Sequence, residues 1–234
     1  MDLAEYKGIY VIAEQFEGKL RDVSFELLGQ ARVLADTIGD EVGAVLIGKD
    51  VKPLAQELIA HGAHKVYVYD DAQLEHYNTT AYAKVLVDFF NKQKPNVYLV
   101  GATNIGRDLG PRVANMLKTG LTADCTQLGV DDDNKTIVWT RPALGGNIMA
   151  EIICPDNRPQ MGTVRPHVFK KPEADASAQG EVIDMKADLT DADFMTKFIE
   201  LIKLGDGGVK IEDADFIVAG GRGMNSEEPF KTGI

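Results

Sequence analysis

Short apolar segments alternate with amphipathic segments over the first half of the chain, and this alternation constrains the fold more than any other feature. The apolar segments predict strands at 8–13, 42–47, 65–69 and 96–101. The amphipathic segments predict helices at 22–38, 51–61, 82–92 and 107–118. A helix between two strands implies a crossover connection, so we expect an α/β fold with a mostly parallel sheet flanked by helices on both faces.

The pattern changes after residue 123, where short strands follow one another without long helices. The sequence predicts these strands at 126–130, 136–140, 147–153 and 161–165. We expect them to extend the sheet. The polar segment 170–180 lacks periodicity and is interpreted as a linker or surface excursion. A helix is predicted at 191–204, beginning near the capping residue Thr190.

The last segment starts a new pattern. An apolar strand is predicted at 215–219, followed by a glycine turn and, from 226, the beginning of a helix. A strand and the start of a helix cannot fold without a sheet to join. We therefore predict an N-terminal α/β domain over 1–204, and over 205–234 a linker and the start of a truncated second domain.

Composition excludes several classes of protein. The chain has 234 residues, of which 44% are hydrophobic, so it can bury a core. Its net charge of −11 argues against nucleic-acid binding, which requires a basic face. Since no apolar run approaches the ~18 residues that span a bilayer, we expect no membrane insertion. The acidic N-terminus lacks a signal peptide and only two cysteines occur, so we expect a cytoplasmic protein.

The loop at 101–108 lies between a predicted strand and a predicted helix. Its glycines, Gly101 and Gly106, have the spacing of a phosphate-binding loop, but the Lys and Ser/Thr that should follow are missing. The simpler interpretation is a strand-to-helix turn whose helix N-terminus can still attract an anion. An adenine-nucleotide-binding α/β protein is therefore kept as an alternative.

Two arginines stand before prolines at the ends of predicted strands, in Arg141-Pro142 and Arg165-Pro166. Proline holds the preceding residue in an extended conformation and stops the strand ladder. Both arginines are thus presented at sheet ends, where ligands of open parallel sheets often bind. Arg165 and Arg141 are candidate binding residues, and the alternative is that each pairs with a neighbouring carboxylate.

Two glycine-containing segments accompany these arginines. Gly145-Gly146-Asn147 follows the first Arg-Pro pair, and Gly146 and Asn147 either approach a ligand closely or form a plain turn. Gly221, Arg222 and Gly223 follow an apolar strand, which suits a guanidinium held over a planar ring. The segment lacks the third glycine of the dinucleotide fingerprint.

No residues form a recognisable hydrolytic or metal-binding motif. The histidines have no metal-ligand spacing, and Cys125 is interpreted as a small buried hydrophobic residue. His167, close to Arg165, is placed to influence the same region. We expect neither a catalytic side chain nor a metal site.

A series of segments in this order resembles the alpha subunits of electron-transfer flavoproteins. They are YKGIYVIAEQFEGKLRDVSFELLGQARVLAD at 6–36, LVGATNIGRDLGPRVA at 99–114, GLTADCTQL at 120–128, TRPALGGNIMAEI at 140–152, MGTVRPHVF at 161–169 and FIVAGGRGM at 216–224. Each segment is moderately specific, and the whole series is strongly specific.

The resemblance implies a heterodimer with a beta subunit and an N-terminal domain with a nucleotide alpha-hydrolase-like sheet. It implies FAD as cofactor and electron transfer from dehydrogenases, notably acyl-CoA dehydrogenases, to other redox partners. In similar proteins of anaerobes the beta subunit holds a second FAD, and NADH drives electron bifurcation toward ferredoxin or flavodoxin. AMP in the beta subunit is the alternative to that second FAD.

The resemblance also implies roles for single residues. Arg222 matches the arginine that contacts the flavin of the alpha subunit, whereas most of the segments expected to bind that FAD are not in this sequence. Arg165, with Arg141 as second choice, is expected to face the flavin or nucleotide carried by the beta subunit. A positive charge there would stabilise reduced flavin. A docking scaffold with an acidic surface is the remaining alternative.

Overall fold

The computed structural model describes residues 2–131, 136–202, 214, 216–226 and 228. It separates the chain into two compact units, Met1–Phe198 and Ile199–Ile234. The helices and strands of the first unit are β1 (Ile9–Ala13), β2 (Gln15–Phe16), β3 (Lys19–Leu20), α1 (Asp22–Ile38), β4 (Val42–Gly48), α2 (Ala55–Ala60), β5 (Lys65–Asp70), α3 (Thr79–Gln93), β6 (Val97–Gly101), α4 (Asn104–Leu117), β7 (Leu121–Cys125), β8 (Gln127–Val130), β9 (Ile137–Ala143), β10 (Ile148–Ile152), β11 (Gln160–Val164) and β12 (Glu181–Asp184).

A parallel sheet forms the centre of this unit. Within the described ranges it has seven strands in the order β12-β5-β4-β1-β6-β11-β7. Every residue of the central strand β1 is buried, because both faces of the sheet are covered. The predicted α/β class with a mostly parallel, helix-flanked sheet is confirmed.

Side chains alternate between the two faces of the sheet. In β1, Ile9 and Val11 join a core cluster with α1 and α2, whereas Tyr10 and Ile12 join a cluster with α3 and α4. The helices therefore form one layer on each face. The prediction of a buried parallel sheet from continuous apolar segments succeeds because such strands must be apolar on both sides.

The strands β8, β9 and β10 form a separate antiparallel sheet in the order β10-β9-β8. The expectation that all four late strands extend the main sheet is therefore wrong for 126–130, 136–140 and 147–153, and correct for 161–165. Consecutive strands without a crossover helix pair as antiparallel neighbours, and here β8, β9 and β10 pair with one another in a sheet of their own. Trp139 of β9 is fully buried and packs its ring against Gly162 of β11, which joins the two sheets.

Four strands were not predicted from the sequence: β2 and β3, which form a short antiparallel pair, and β7 and β12. β7 and β12 are the edge strands of the parallel sheet. β12 has four residues, three of them exposed, so its apolar pattern is too weak to recognise. The segment 170–180 between β11 and β12 contains no helix or strand, which agrees with its interpretation as a surface excursion.

The helix predicted at 191–204 is absent through residue 202, and residues 203–204 lie outside the described residues. Thr190 caps as predicted, in a capping box with Asp193, but only a 3-10 turn at Asp191–Asp193 follows. Met195 is 76% exposed. Short helices need an apolar face packed on a neighbour, and this segment does not bury one at Met195.

The second unit has little regular structure in its described part. The predicted strand at 215–219 is not formed over 216–219, and Asp215 lies outside the described residues. No strand pairs with it there, and a lone strand has no partners for its backbone groups. Arg222–Met224 forms a 3-10 turn. The helix predicted from 226 falls mainly outside the described residues, and the domain boundaries remain a prediction.

No helix in the described ranges is long and apolar enough to cross a membrane.

Candidate functional site

An open pocket lies where the ends of β9 and β11 meet the turn that precedes β10. Its volume is about 470 Å³. Its lining residues come from two separate segments that the sequence analysis had already singled out: Arg141, Pro142, Ala143, Leu144, Gly145, Gly146 and Arg165. The fold therefore brings together the two arginines, which are distant in the sequence.

Arg165 directly follows β11 and stands at the carboxyl edge of the parallel sheet. Its backbone N–H donates a 3.0 Å hydrogen bond to the carbonyl of Cys125, which fixes the backbone beside β7. Pro166 then ends the ladder. The Arg165 side chain is 45% exposed, so its guanidinium is held at the protein surface rather than in the core.

Arg141 lies within β9, opposite Ala150 of β10, so the prediction that its proline ends the strand is wrong. The strand β9 continues through Pro142 to Ala143, because Pro142 still pairs with Met149 of β10. Its Nε atom is buried and has no hydrogen-bond partner among the described residues. A buried donor without an acceptor is costly, so this atom marks the pocket as a place for an acceptor from outside the chain. The same guanidinium lowers the pKa of the neighbouring Cys125 thiol, but burial dominates and raises that pKa to about 12.

The turn Leu144–Gly146 forms one wall of the pocket. Gly145 and Gly146 have φ of 73° and 90°, values that glycine adopts without strain. A side-chain carbon added at either position would meet nothing within 4 Å. Glycine is therefore required here for its backbone conformation and not for close packing, and the wall stays open. Asn147 follows directly as the residue that ends the turn. The predicted role of Gly146 and Asn147 in binding a cofactor is not tested by this geometry.

An exposed apolar surface adjoins the pocket. The strand β10 is largely exposed, although its composition is mostly apolar. The exposed fractions are 78% for Leu144, 52% for Ile148, 50% for Met149, 38% for Ile152 and 46% for Ile153. We call this set the β10 surface. Several exposed apolar side chains on one edge strand are typical of a protein interface.

A charged cluster that was not predicted from the sequence lies at the same sheet edge. Asp124 lies between two arginines: Arg107 Nη2 is 2.8 Å from Asp124 Oδ1, and Arg165 Nη2 is 3.9 Å from Asp124 Oδ2. Asp124 was visible only as part of the segment GLTADCTQL. Its proximity to both arginines depends on the pairing of β7 with β11, so no local sequence signal could have revealed it.

The turn at 101–108 is occupied by the protein's own groups. Thr103 caps α4 by accepting a hydrogen bond from the N–H of Gly106, and its hydroxyl donates to the carboxyl of Glu14 at 2.9–3.0 Å. Burial raises the pKa of Glu14 to about 7, although the Thr103 hydrogen bond lowers it. When it is ionised, the Glu14 carboxylate at this helix end would repel a phosphate, which argues against the nucleotide alternative.

Gly221, Arg222 and Gly223 lie in the second unit, where Arg222 begins the 3-10 turn and all three are exposed. Their contact with a flavin stays a prediction. In the first unit, Cys125 is buried, as predicted. The backbone N–H of His167 donates to Glu26 of α1 at 2.8 Å. No group of three or more metal-ligating side chains occurs in the described part of the chain.

Comparison with known proteins identifies the family. A model described as "Electron transfer flavoprotein domain" matches residues 9–190. The "Electron transfer flavoprotein subunit alpha" of Megasphaera elsdenii is 91% identical over 234 residues, which are all of this chain and 69% of that protein. The "Acryloyl-CoA reductase electron transfer subunit beta" of Anaerotignum propionicum is 43% identical, with 97% of this chain and 68% of that protein covered. The "Lactate dehydrogenase (NAD(+),ferredoxin) subunit LctC" of Acetobacterium woodii is 44% identical over 97% of this chain and 54% of that protein.

Proposed function

We propose that this chain, which belongs to the electron transfer flavoprotein family as an alpha subunit, pairs with a beta subunit and supplies one wall of a flavin site. In this role it helps to transfer electrons from dehydrogenases of the acyl-CoA dehydrogenase type to other redox partners. The observation that carries the proposal is the convergence of Arg165 and Arg141 on one open pocket beside the exposed β10 surface.

The residues of the pocket fit a flavin. The buried Arg141 Nε needs an acceptor, and the polar edge of an isoalloxazine ring offers carbonyl oxygens and ring nitrogens. FAD, when bound, supplies the redox chemistry. Arg165 and Arg141 would orient the polar edge of the ring and place positive charge beside it, which favours the reduced form. Gly146 and Asn147 would form the adjacent wall.

The β10 surface is the proposed contact with the beta subunit. It is apolar, it extends from the pocket wall at Leu144, and β10 is an edge strand with unpaired backbone groups on one side. Covering this strand would bury its apolar side chains and exclude water from the pocket beside it. The site is thus completed by the partner, and this chain supplies charge and shape rather than a reacting side chain.

We further propose that the electron transfer is NADH-dependent electron bifurcation and that it takes place in the cytoplasm. The name of the Acetobacterium woodii relative includes NAD(+) and ferredoxin, and that of the Anaerotignum propionicum relative includes the words acryloyl-CoA reductase and electron transfer. We propose that NADH and ferredoxin or flavodoxin act through a second FAD in the beta subunit, with AMP there as the alternative. Gly221, Arg222 and Gly223 would contact the FAD of the alpha subunit.

The proposal is tested by purifying the chain with its beta subunit and recording the visible spectrum and the flavin midpoint potential. We expect flavin absorbance in the complex, and we expect Arg165→Ala to lower the potential because it removes a positive charge. Arg112→Ala is the matched control, since Arg112 is exposed on α4. A complex without flavin would support the docking scaffold instead, and an unchanged potential in Arg165→Ala would exclude this residue from the site.

A further inference from the structure

Three elements bring charged groups to one point of the pocket edge. Arg107 comes from the first turn of α4, Asp124 from the end of β7, and Arg165 from the residue after β11. The backbone around this point is tightly connected, because the N–H of Ala102 donates to the carbonyl of Val164 at 2.6 Å. The cluster therefore stands on the rigid carboxyl edge of neighbouring strands.

A bulge in β7 directs Asp124 toward the arginines. The pairing of β7 with β11 shifts register, since Thr122 lies opposite Gly162 and Cys125 opposite Val164. One strand thus has an additional residue, which is how a bulge redirects a side chain. Asp124 adopts φ of 60°, and its N–H donates to Thr163 Oγ1 at 2.9 Å. A left-handed conformation in a non-glycine residue is costly, so the surrounding contacts must hold it.

The carboxylate of Asp124 is fixed by Arg107. Arg107 Nη1 donates a 3.1 Å hydrogen bond to Asp124 Oδ2, and Arg107 Nε donates to the carbonyl of Ala102 at 2.8 Å. Arg107 Nη2 forms an ion-pair contact with Asp124 Oδ1 at 2.8 Å, although this buried oxygen has no hydrogen-bond partner among the described residues. The hydrogen bond and the ion-pair contact together hold the carboxylate near Arg107. The Asp124 side chain is only 20% exposed, so solvent screens its charge less than that of the surface pairs.

Arg165 is attracted to this fixed carboxylate but does not donate a hydrogen bond to it. One of its nitrogens lies 3.9 Å from Asp124 Oδ2, beyond hydrogen-bond distance, so its donors remain available to the pocket. We propose that Asp124 is a positioning residue that holds the Arg165 guanidinium toward the pocket, while Arg107 keeps Asp124 in place. The proposal rests on the proposed function of the pocket as the wall of a flavin site.

The flavin potential of the complex with the beta subunit separates positioning from simple charge. In Asp124→Asn, loss of a nearby negative charge alone would raise the potential. Loss of a positioned Arg165 lowers it. We expect Asp124→Asn to lower the flavin potential, as Arg165→Ala does. The decrease should be smaller in Asp124→Asn than in Arg165→Ala.

A double-mutant cycle completes this test. If Asp124 acts through Arg165, Asp124→Asn produces no further lowering in the Arg165→Ala background. A raised potential in Asp124→Asn, or the same lowering in both backgrounds, overturns the proposal. Asp184→Asn is the matched control. Asp184 lies on β12, the opposite edge strand of the sheet, and pairs with Lys52, so this substitution should leave the flavin potential unchanged.

A second measurement uses the full chain without its partner and requires no flavin. The ¹⁵N relaxation of the Arg165 Nε–H group reports how strongly the side chain is held. We expect an ordered group in the parent chain and a mobile group in Asp124→Asn. The signal of Arg32, whose guanidinium contacts His64 away from the pocket, is the internal reference. Equal order in both proteins overturns the positioning role. An unchanged potential in Arg165→Ala together with a mobile Arg165 in Asp124→Asn would instead reject only the flavin site.

Discussion

The two sheets of the first unit contrast in how they treat apolar side chains. The parallel sheet buries all of β1 and β4, whereas β10 of the antiparallel sheet leaves Ile148 and Met149 about half exposed. Apolar burial is the main source of folding free energy, and an exposed apolar surface is typical of binding. The difference indicates that the parallel sheet contributes most to stability, and it supports the proposal that the antiparallel sheet provides the binding surface.

A substitution where the two sheets pack together should cause the largest loss of stability. Trp139 is fully buried against Gly162, so Trp139→Ala would leave a large cavity and separate the layers. We expect the free energy of unfolding to fall by about 3–5 kcal/mol. Urea unfolding followed by circular dichroism measures it, with Trp139→Phe as a milder control. A loss below about 1 kcal/mol would mean that the two sheets are not joined through this side chain.

The packing of α4 on the parallel sheet should be nearly as sensitive. A side-chain carbon at Gly106 would lie 1.8 Å from the carbonyl oxygen of Gly101, so the helix would have to move away. We expect Gly106→Ala to cost about 3 kcal/mol in unfolding free energy, measured by urea titration. Gly120→Ala is the matched control, since nothing lies within 4 Å of its added carbon. Equal stability of the two variants would contradict this packing.

The parallel sheet also contains a pH-dependent group at its carboxyl edge. Burial raises the pKa of Glu14 from 4.5 to about 7 in the folded chain. Between these values the folded state retains a proton that the unfolded state releases, so the contribution of Glu14 to stability falls as pH rises through this window.

Glu14→Gln cannot ionise, so its stability relative to the parent should increase by as much as about 3 kcal/mol between pH 5 and pH 8. Urea unfolding at several pH values measures the difference. Glu173 is exposed, so Glu173→Gln is the control. Its unfolding free energy should change with pH in the same way as that of the parent chain. Parallel curves for Glu14→Gln as well would show that the carboxyl is solvated in the folded chain.

The smallest effect on folding should come from the β10 surface. Met149 and Met116 are 50% and 46% exposed, which makes them a matched pair on β10 and α4. Both Met→Glu variants should change the unfolding free energy by no more than about 0.5 kcal/mol. Only Met149→Glu should weaken association with the beta subunit, by about tenfold or more. Isothermal titration calorimetry distinguishes them, and equal affinities would place the interface elsewhere.

The sequence predicted those parts of the fold that depend on local pattern. Helix 22–38 has the predicted bounds, and Arg165 stands where its strand ends, before Pro166, as predicted. Arg141 shares the pocket with Arg165 although its strand continues through Pro142 to Ala143. The antiparallel sheet, Glu14 and Asp124 could not be predicted in the same way. Their environment arises from pairing between distant segments, as in the contact of Asp124 with Thr163, 39 residues away.

The predicted helix at 191–204 shows that a local sequence pattern can also predict an element that does not form. Its cap and its periodicity were both present, and Thr190 caps a turn as expected. The local signal was nevertheless insufficient, since a short helix depends on tertiary packing for most of its stability.

The position of Trp139 gives this chain an intrinsic optical probe. It is the sole tryptophan of the sequence, and it lies fully buried between the sheet that supports the fold and the sheet that carries the pocket. Its emission therefore arises from the layer boundary alone. A red shift under mild conditions, before loss of the helical signal, would record the binding surface detaching while the remaining fold is intact.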